Sequence, residues 1–384
     1  MALPDGTRQS GEAEHRLLEV FQKVDSSDLD GALASVERLT DDLPHFQAAH
    51  LVEADLLGLR SGLSPSIGSQ ESLLGSGRRA EVVRLQQLQE ELKRRLQAHQ
   101  RPPHQGSVPR EFLRVSDSVR HAIAIDASKS RLYLFANEGL GLRIIGDYYI
   151  SVGILGVDKR REGDQRTPLG IYFTNGQIPG QRLPDFYGKG ALPLNYPNGW
   201  DRSLGRSGSG IWLHGTPPDQ FARTPLASDG CIVLSNPDMQ FLLDTVDSNT
   251  PVLIRDSIEW TDAWQAFQEN LRPDPFMETV RDWERVRRAQ SAQKLEAVYE
   301  PGFLRAPGKR RQLQQYSQHY AASDFAVQEV SVYGWTDAQG EVKVVTHHST
   351  SSVSPDGLSV RQYWHQRDGQ WKILTEDVLA RPLG

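Results

Sequence analysis

The chain has one cysteine in 384 residues, which excludes an intrachain disulfide as a source of stability. It has no run of about eighteen apolar residues, the length a membrane-spanning helix needs. It has no basic excess either. Its 43 Lys and Arg stand against 49 Asp and Glu, a net charge of −6, whereas nucleic-acid binding leans on a basic face. Neither nucleic acid nor a membrane span is therefore expected. What is present describes a globular protein: 38% hydrophobic residues, 24% charged, with 8 Trp and 12 Phe. A chain of this length usually holds two or three domains.

The lone cysteine sits in Ser228-Asp229-Gly230-Cys231-Ile232-Val233-Leu234, downstream of Ile211-Trp212-Leu213-His214-Gly215-Thr216. A thiol becomes a nucleophile when a base or a positive charge stands near it. A Cys just after Gly, with an isolated His at the end of an apolar stretch, outlines such a pair. The plain alternative is that Cys231 is a small buried hydrophobe opening Ile232-Val233-Leu234. Two further blocks precede the pair. One is Glu162-Gly163-Asp164-Gln165-Arg166-Thr167-Pro168-Leu169-Gly170-Ile171-Tyr172, the other Asn195-Tyr196-Pro197-Asn198 with Asp201 following.

These four blocks, in this order, resemble the L,D-transpeptidases (the YkuD-type catalytic domain), bacterial cysteine enzymes of the cell wall. The resemblance covers residues 112–258. It implies Cys231 as nucleophile, His214 as base and the Gly215 carbonyl as the group that holds the imidazole. The amides of Gly230 and Cys231 would form the oxyanion hole. The thiol is expected to ionise well below the ~8.5 of a free Cys. Ser228 would bond the loop or the substrate. Substrate contacts are further assigned to Asp229 and Thr216 and, in the loop 176–210, to Tyr187, Trp200 and Arg206, with Phe186 and Lys189 nearby. Ordinary loop packing is the alternative for these loop residues.

By the same resemblance, Cys231 attacks the carbonyl of the third stem residue, meso-diaminopimelate, and expels the terminal D-Ala. The thioester then passes to an amine, giving a cross-link or protein attachment, or to water. Peptidoglycan stem peptides are the implied partner, with other envelope proteins as candidates for the outer domains. A periplasmic location, a role in cell shape and trapping by carbapenems belong to the same expectation, and neither cofactor nor metal is implied. The start of the chain, Met1 to Gly6, has no basic n-region and no apolar h-region, which suggests a mature or trimmed form. A hydrolase on the same fold (carboxypeptidase or endopeptidase) and a non-catalytic wall-binding scaffold are the rival readings.

Two departures from the family pattern stand out. Asp229 occupies the place usually held by His, and would raise the thiol pKa if it pointed inward; it is expected to point away or to bond the loop. Val233 stands where Arg or Asn is common, so some other side chain must grip a substrate carboxylate.

The fold class expected is multidomain, with a helical N-terminal arm over residues 1–100 and a linker over 101–111. The mainly-β catalytic domain over 112–258 is followed by a connecting helix or linker over 259–275. Last comes an α+β cone over 276–384, which resembles nuclear-transport-factor-like domains. The arm's helices show apolar positions at helical spacing, with Pro44 opening the third. Its cadence is similar to a tetratricopeptide repeat, but about one and a half units fall short of the roughly three a free-standing array needs. Residues 61–77 read as a flexible Gly/Ser stretch. Trp260, Trp264 and Phe267 read as one helix face. Asn236 reads as the N-cap of a helix over 238–246, and residues 277–299 as a single helix. His347 and His348, neighbours on a predicted strand, point to opposite faces and do not suggest a metal pair.

Overall fold

The computed structural model describes residues 11–62, 79–104, 106–138, 141–270, 274–289, 291–337 and 339–379. Of the stretch read as flexible, only residues 61–62 lie among them. The arm is helical: Glu12–Asp25, Leu29–Asp42, Gln47–Arg60 and Arg79–Gln100. Asp28 starts the second helix by accepting from the Gly31 amide, as a good N-cap does. The third begins at Gln47, so Pro44 belongs to the turn before it. Leu17, Val20, Leu33, Val36, Leu39, Phe46 and Val52 close a core that Leu92 of the long fourth helix completes.

This arm is docked on the catalytic domain. Glu14 accepts from Arg95 at 2.8 Å and from Arg131 at 2.5 Å. Each arginine has a second carboxylate, Glu91 and Asp147 respectively. Phe46 packs on Phe221 with ring centroids 4.5 Å apart.

Two larger sheets build the catalytic domain, beside a two-stranded parallel pair of Val152–Gly153 and Leu226–Ser228. The first has the strand order Leu142–Tyr149, Arg131–Asn137, His121–Asp126, Pro251–Arg255, Gly170–Phe173. The pair His121–Asp126 and Pro251–Arg255 is parallel and the rest antiparallel. The second sheet orders Ile232–Val233, Trp212–His214, Gly190–Pro193, Ile178–Pro179. Ile123, Leu132, Leu192, Leu213, Ile232 and Met239 pack between them. The helix beyond the cysteine runs Asn236–Thr245, and its N-cap is Ser235, which accepts from the Asp238 amide. Asn236 is thus the first helical residue, and its amide side chain is free for another task.

The C-terminal unit places helices before a β-rich sheet. Pro275–Ala289 and Ala292–Val298 replace the single helix expected, and Ser291 caps the second by accepting from the Lys294 amide. Ala326–Asp337, Gly340–Ser351, Ser354–Arg367 and Gln370–Val378 then form an antiparallel meander. Phe112–Arg114 adds to its edge, so these residues join the C-terminal sheet and not the catalytic ones. Trp260 is not helical: its strand Trp260–Asp262 pairs with Ser107–Pro109, and its ring meets Tyr133 edge-on at 4.9 Å. A shared core of Phe112, Phe135, Phe173, Trp200, Tyr333 and Trp335 joins the catalytic and C-terminal units.

Candidate active site

Trp212–His214 and Ile232–Val233 run parallel, with Leu213 opposite Ile232 and His214 opposite Val233. Side chains alternate along a strand, so Leu213 and Ile232 enter the core and His214 takes the other face. Carrying the register back one residue sets Cys231 beside Trp212, on the face of His214 and one diagonal step away. The fold therefore brings together two side chains from the two halves of the sequence motif.

His214 is almost fully buried, and its Nδ1 lies 2.7 Å from the Gly215 carbonyl. A carbonyl only accepts, so Nδ1 carries the proton and Nε2 is left as the basic atom. Burial drives the His214 pKa down to about 4, and the ring is neutral at pH 7. Tyr187 and Phe186 wall it at 5.0 and 5.8 Å between ring centroids. Gly215 must be Gly here, because a Cβ would stand 2.3 Å from Asn236 Oδ1. That oxygen accepts from the Lys189 amide at 3.0 Å, and Asn236 Nδ2 donates to the Thr216 carbonyl at 2.8 Å. Asn236 thus ties the histidine strand to the loop that carries Tyr187.

Cys231 is partly exposed, and its thiol donates to the Gly210 carbonyl at 3.3 Å. Burial raises its pKa, against the lowering effects of the Trp212 amide and the Arg223 cation. The expectation of a thiol ionising below the ordinary range is corrected: desolvation of the thiolate outweighs the charges that favour it. The pair rests as neutral thiol and neutral imidazole.

Ser228 Oγ donates to the Cys231 carbonyl at 2.6 Å and accepts from the Gly230 amide at 3.1 Å. It holds the Gly230–Cys231 turn together, with its hydroxyl engaged in both bonds. This also corrects the oxyanion hole, because the Gly230 amide is already engaged; the Cys231 amide remains as a donor. Gly230 has φ +119°, and a Cβ would meet the Arg166 carbonyl at 2.6 Å. Asp229 is exposed and accepts from Gln165 Nε2 at 3.0 Å, a loop bond and not a bond to the imidazole.

Three expected substrate residues are placed elsewhere. Thr216 is fully buried, and its hydroxyl donates to the Phe221 carbonyl at 3.4 Å. Trp200 is 2% exposed and donates to Asp337 of the C-terminal sheet at 2.8 Å. Arg206 donates to buried Asp201 at 3.1 Å, which closes the capping box of the short helix Gly199–Ser203. Each has its polar atoms engaged by the protein. Of the loop group, Tyr187 lies against the histidine, with its neighbour Phe186.

Sequence reasoning missed Gln165 and Arg223. Arg223 lies over Phe186, 4.4 Å from the ring centroid, and its charge is felt by Cys231 and Asp229. One signal could have found it: Arg223 is the only basic residue between His214 and Cys231.

Residues 120–254 match the L,D-transpeptidase catalytic domain family, YkuD. Among solved structures the chain is similar to Bd1075 of Bdellovibrio bacteriovorus, with 25% identity and a TM-score of 0.54 over 71% of this chain and 98% of that one. It shares a fold with the helical cell shape determining protein Pgp2 of Campylobacter jejuni, with 18% identity and a TM-score of 0.50 over 67% and 91%. No curated protein matches it.

Proposed function

We propose that residues 120–254, which match the L,D-transpeptidase catalytic domain family, work on peptidoglycan stem peptides through a thioester on Cys231. The carbonyl carbon of the third stem residue meets Cys231 Sγ, and His214 Nε2 accepts the thiol proton as the S–C bond forms. The Gly215 carbonyl steadies the imidazolium this creates. The Cys231 amide is placed to stabilise the oxyanion. Collapse breaks the C–N bond, His214 returns its proton to the leaving nitrogen, and D-Ala departs. An acceptor amine then attacks the thioester with His214 again as base, and the thiol is restored.

The observation that carries this reading is His214 on a strand paired in parallel with the strand that Cys231 immediately precedes, with Nδ1 2.7 Å from the Gly215 carbonyl. A second reading replaces the amine by water, making the chain an L,D-carboxypeptidase. The openness of the site supports it: Cys231 is partly exposed and Phe186 is 48% exposed. Mass spectrometry of products from a disaccharide-tetrapeptide, with and without an amine acceptor, separates the two. Cross-linked product supports transfer, and tripeptide alone supports hydrolysis. Cys231→Ala should abolish D-Ala release and His214→Ala should cost comparably, since such pairs act as a unit. Full release by Cys231→Ala would end both readings.

This substrate places the protein in the cell envelope; no described helix is long and apolar enough to cross a membrane. We read the C-terminal unit as nuclear-transport-factor-like on its order of helices followed by a meander. The arm and this unit remain the candidate surfaces for other envelope proteins.

A further inference from the structure

The site has an apolar residue at a place where a polar one is common, and it holds a cation, Arg223, whose guanidinium has no hydrogen-bonded acceptor among the described residues. Val233 stands where a polar side chain could reach a substrate carboxylate, and it is buried. The cations around the cysteine loop are engaged: Lys159 with Asp164 at 2.8 Å, Arg166 with the Val157 carbonyl at 2.8 Å, Arg206 with Asp201. Arg223 differs. Among the described residues no carboxylate or carbonyl takes a hydrogen bond from its guanidinium, which only stacks on Phe186. A part-buried cation without an acceptor is unfavourable unless a ligand supplies one.

The loop presenting Arg223 is held from three sides. Tyr149 Oη donates to the Arg223 carbonyl at 3.0 Å, Phe221 packs on Phe46 of the arm, and the Phe221 amide donates to the His45 carbonyl at 3.4 Å. A cleft of about 560 Å³ opens between the two units. Phe186, Arg223 and Ala227 line its catalytic side, and Phe46, Arg84 and Leu88 line its arm side. Phe186 is shared, since its other neighbour is His214.

We propose that Arg223 binds the C-terminal carboxylate of the stem peptide at the mouth of this cleft, and so selects peptides with one residue beyond the scissile bond. The inference rests on the reading of Cys231 as nucleophile. Its chemistry is that of the planar guanidinium, which pairs with a carboxylate through two parallel hydrogen bonds. The leaving residue separates the attacked carbonyl from that carboxylate by one Cα step, about 3.8 Å, and Arg223 stacks on the same Phe186 ring that walls His214, so the cation stands one ring away from the histidine.

The test uses the full chain and three forms of L-Ala-γ-D-Glu-meso-diaminopimelate-D-Ala: free, amidated at the C-terminus, and amidated on the diaminopimelate side chain. Arg223→Ala should lower kcat/KM on the free peptide about 100-fold, mainly through KM, as loss of a charged hydrogen bond does. Arg223→Lys should recover part of that loss. The C-terminal amide should be poor for wild type and no poorer for Arg223→Ala, while the side-chain amide should behave as the free peptide does. Equal losses on free and C-terminally amidated peptides would overturn the proposal, as would no loss on either. Insensitivity of the side-chain amide alone would overturn it too, by moving Arg223 to the other carboxylate. If wild type turns over no peptide, the thioester reading fails. Calorimetric binding to Cys231→Ala then decides for Arg223: free peptide preferred over C-terminal amide supports it, and equal affinity rejects it.

Discussion

At the scale of single residues, the proposed chemistry starts from a neutral pair that becomes charged only during the reaction. His214 must be unprotonated to accept the thiol proton, and burial holds its pKa near about 4. Activity should therefore fall as pH drops through about 4, and not near the ordinary histidine value of about 6.5. Alkylation of Cys231 by iodoacetamide should have its midpoint above about 8.5, because burial penalises the thiolate. An acid limb near 6.5 with fast alkylation at neutral pH would show a resting ion pair instead. Asp229 bears on the same point. Its carboxylate meets Gln165 on the exposed side of the loop, so Asp229→Asn should keep activity within about twofold, as exposed substitutions do. A hundredfold loss, measured as D-Ala release, would make Asp229 the imidazole's orienter. The pairing of the His214 strand with the strand after Cys231 was legible in the sequence, because an apolar run and a Gly turn mark each of them. Ser228 was not, since sequence adjacency to the nucleophile cannot tell a loop bond from a substrate bond. Trp200 looked like a substrate group because its partner Asp337 lies 137 residues away, and Arg206 because residue type alone cannot tell a bond to nearby Asp201 from one to substrate.

At the scale of elements, the helices of the arm followed from apolar spacing, and their docking did not. Glu14 joins Arg95 and Arg131 across 81 and 117 residues, a separation at which no periodicity speaks. Both arginines are buried and Glu14 is half-buried, and the pairing lowers the Glu14 pKa against the burial that would raise it. Glu14→Ala leaves each arginine one carboxylate, so its cost should lie somewhat under that of fully orphaning a buried charge, at about 2–3 kcal/mol. Urea unfolding should show the midpoint fall by that measure, and an unchanged midpoint would mean the arm is not held by this network. The short strands Phe112–Arg114 and Trp260–Asp262 were hidden for a related reason. Three residues carry too little alternation to declare a strand, and both pair with partners far along the chain.

At the scale of the whole molecule, three units share their cores, and the C-terminal one carries a histidine the fold keeps neutral. His347 is fully buried against Trp283, and burial, with His348, His319 and Arg287 nearby, pushes its pKa down to about 3. The unfolded chain takes up that proton near about 6.5 and the folded chain refuses it. Stability from this group is thus complete above about 6.5 and is lost as pH falls toward about 3. Thermal melts of wild type and His347→Gln should converge as pH drops from 7 to about 4, and a constant gap would contradict the assignment. The account as a whole turns on one atom, Cys231 Sγ, and the chain's single cysteine makes it directly testable. The measurement is peptide-mapped mass spectrometry after incubation with a carbapenem, a β-lactam that traps cysteine acyl-enzymes of this kind. The account predicts one whole carbapenem mass added to the peptide bearing Cys231, released by hydroxylamine and absent from Cys231→Ala. An unmodified Cys231 in a folded protein, or an adduct that persists in Cys231→Ala, would contradict it.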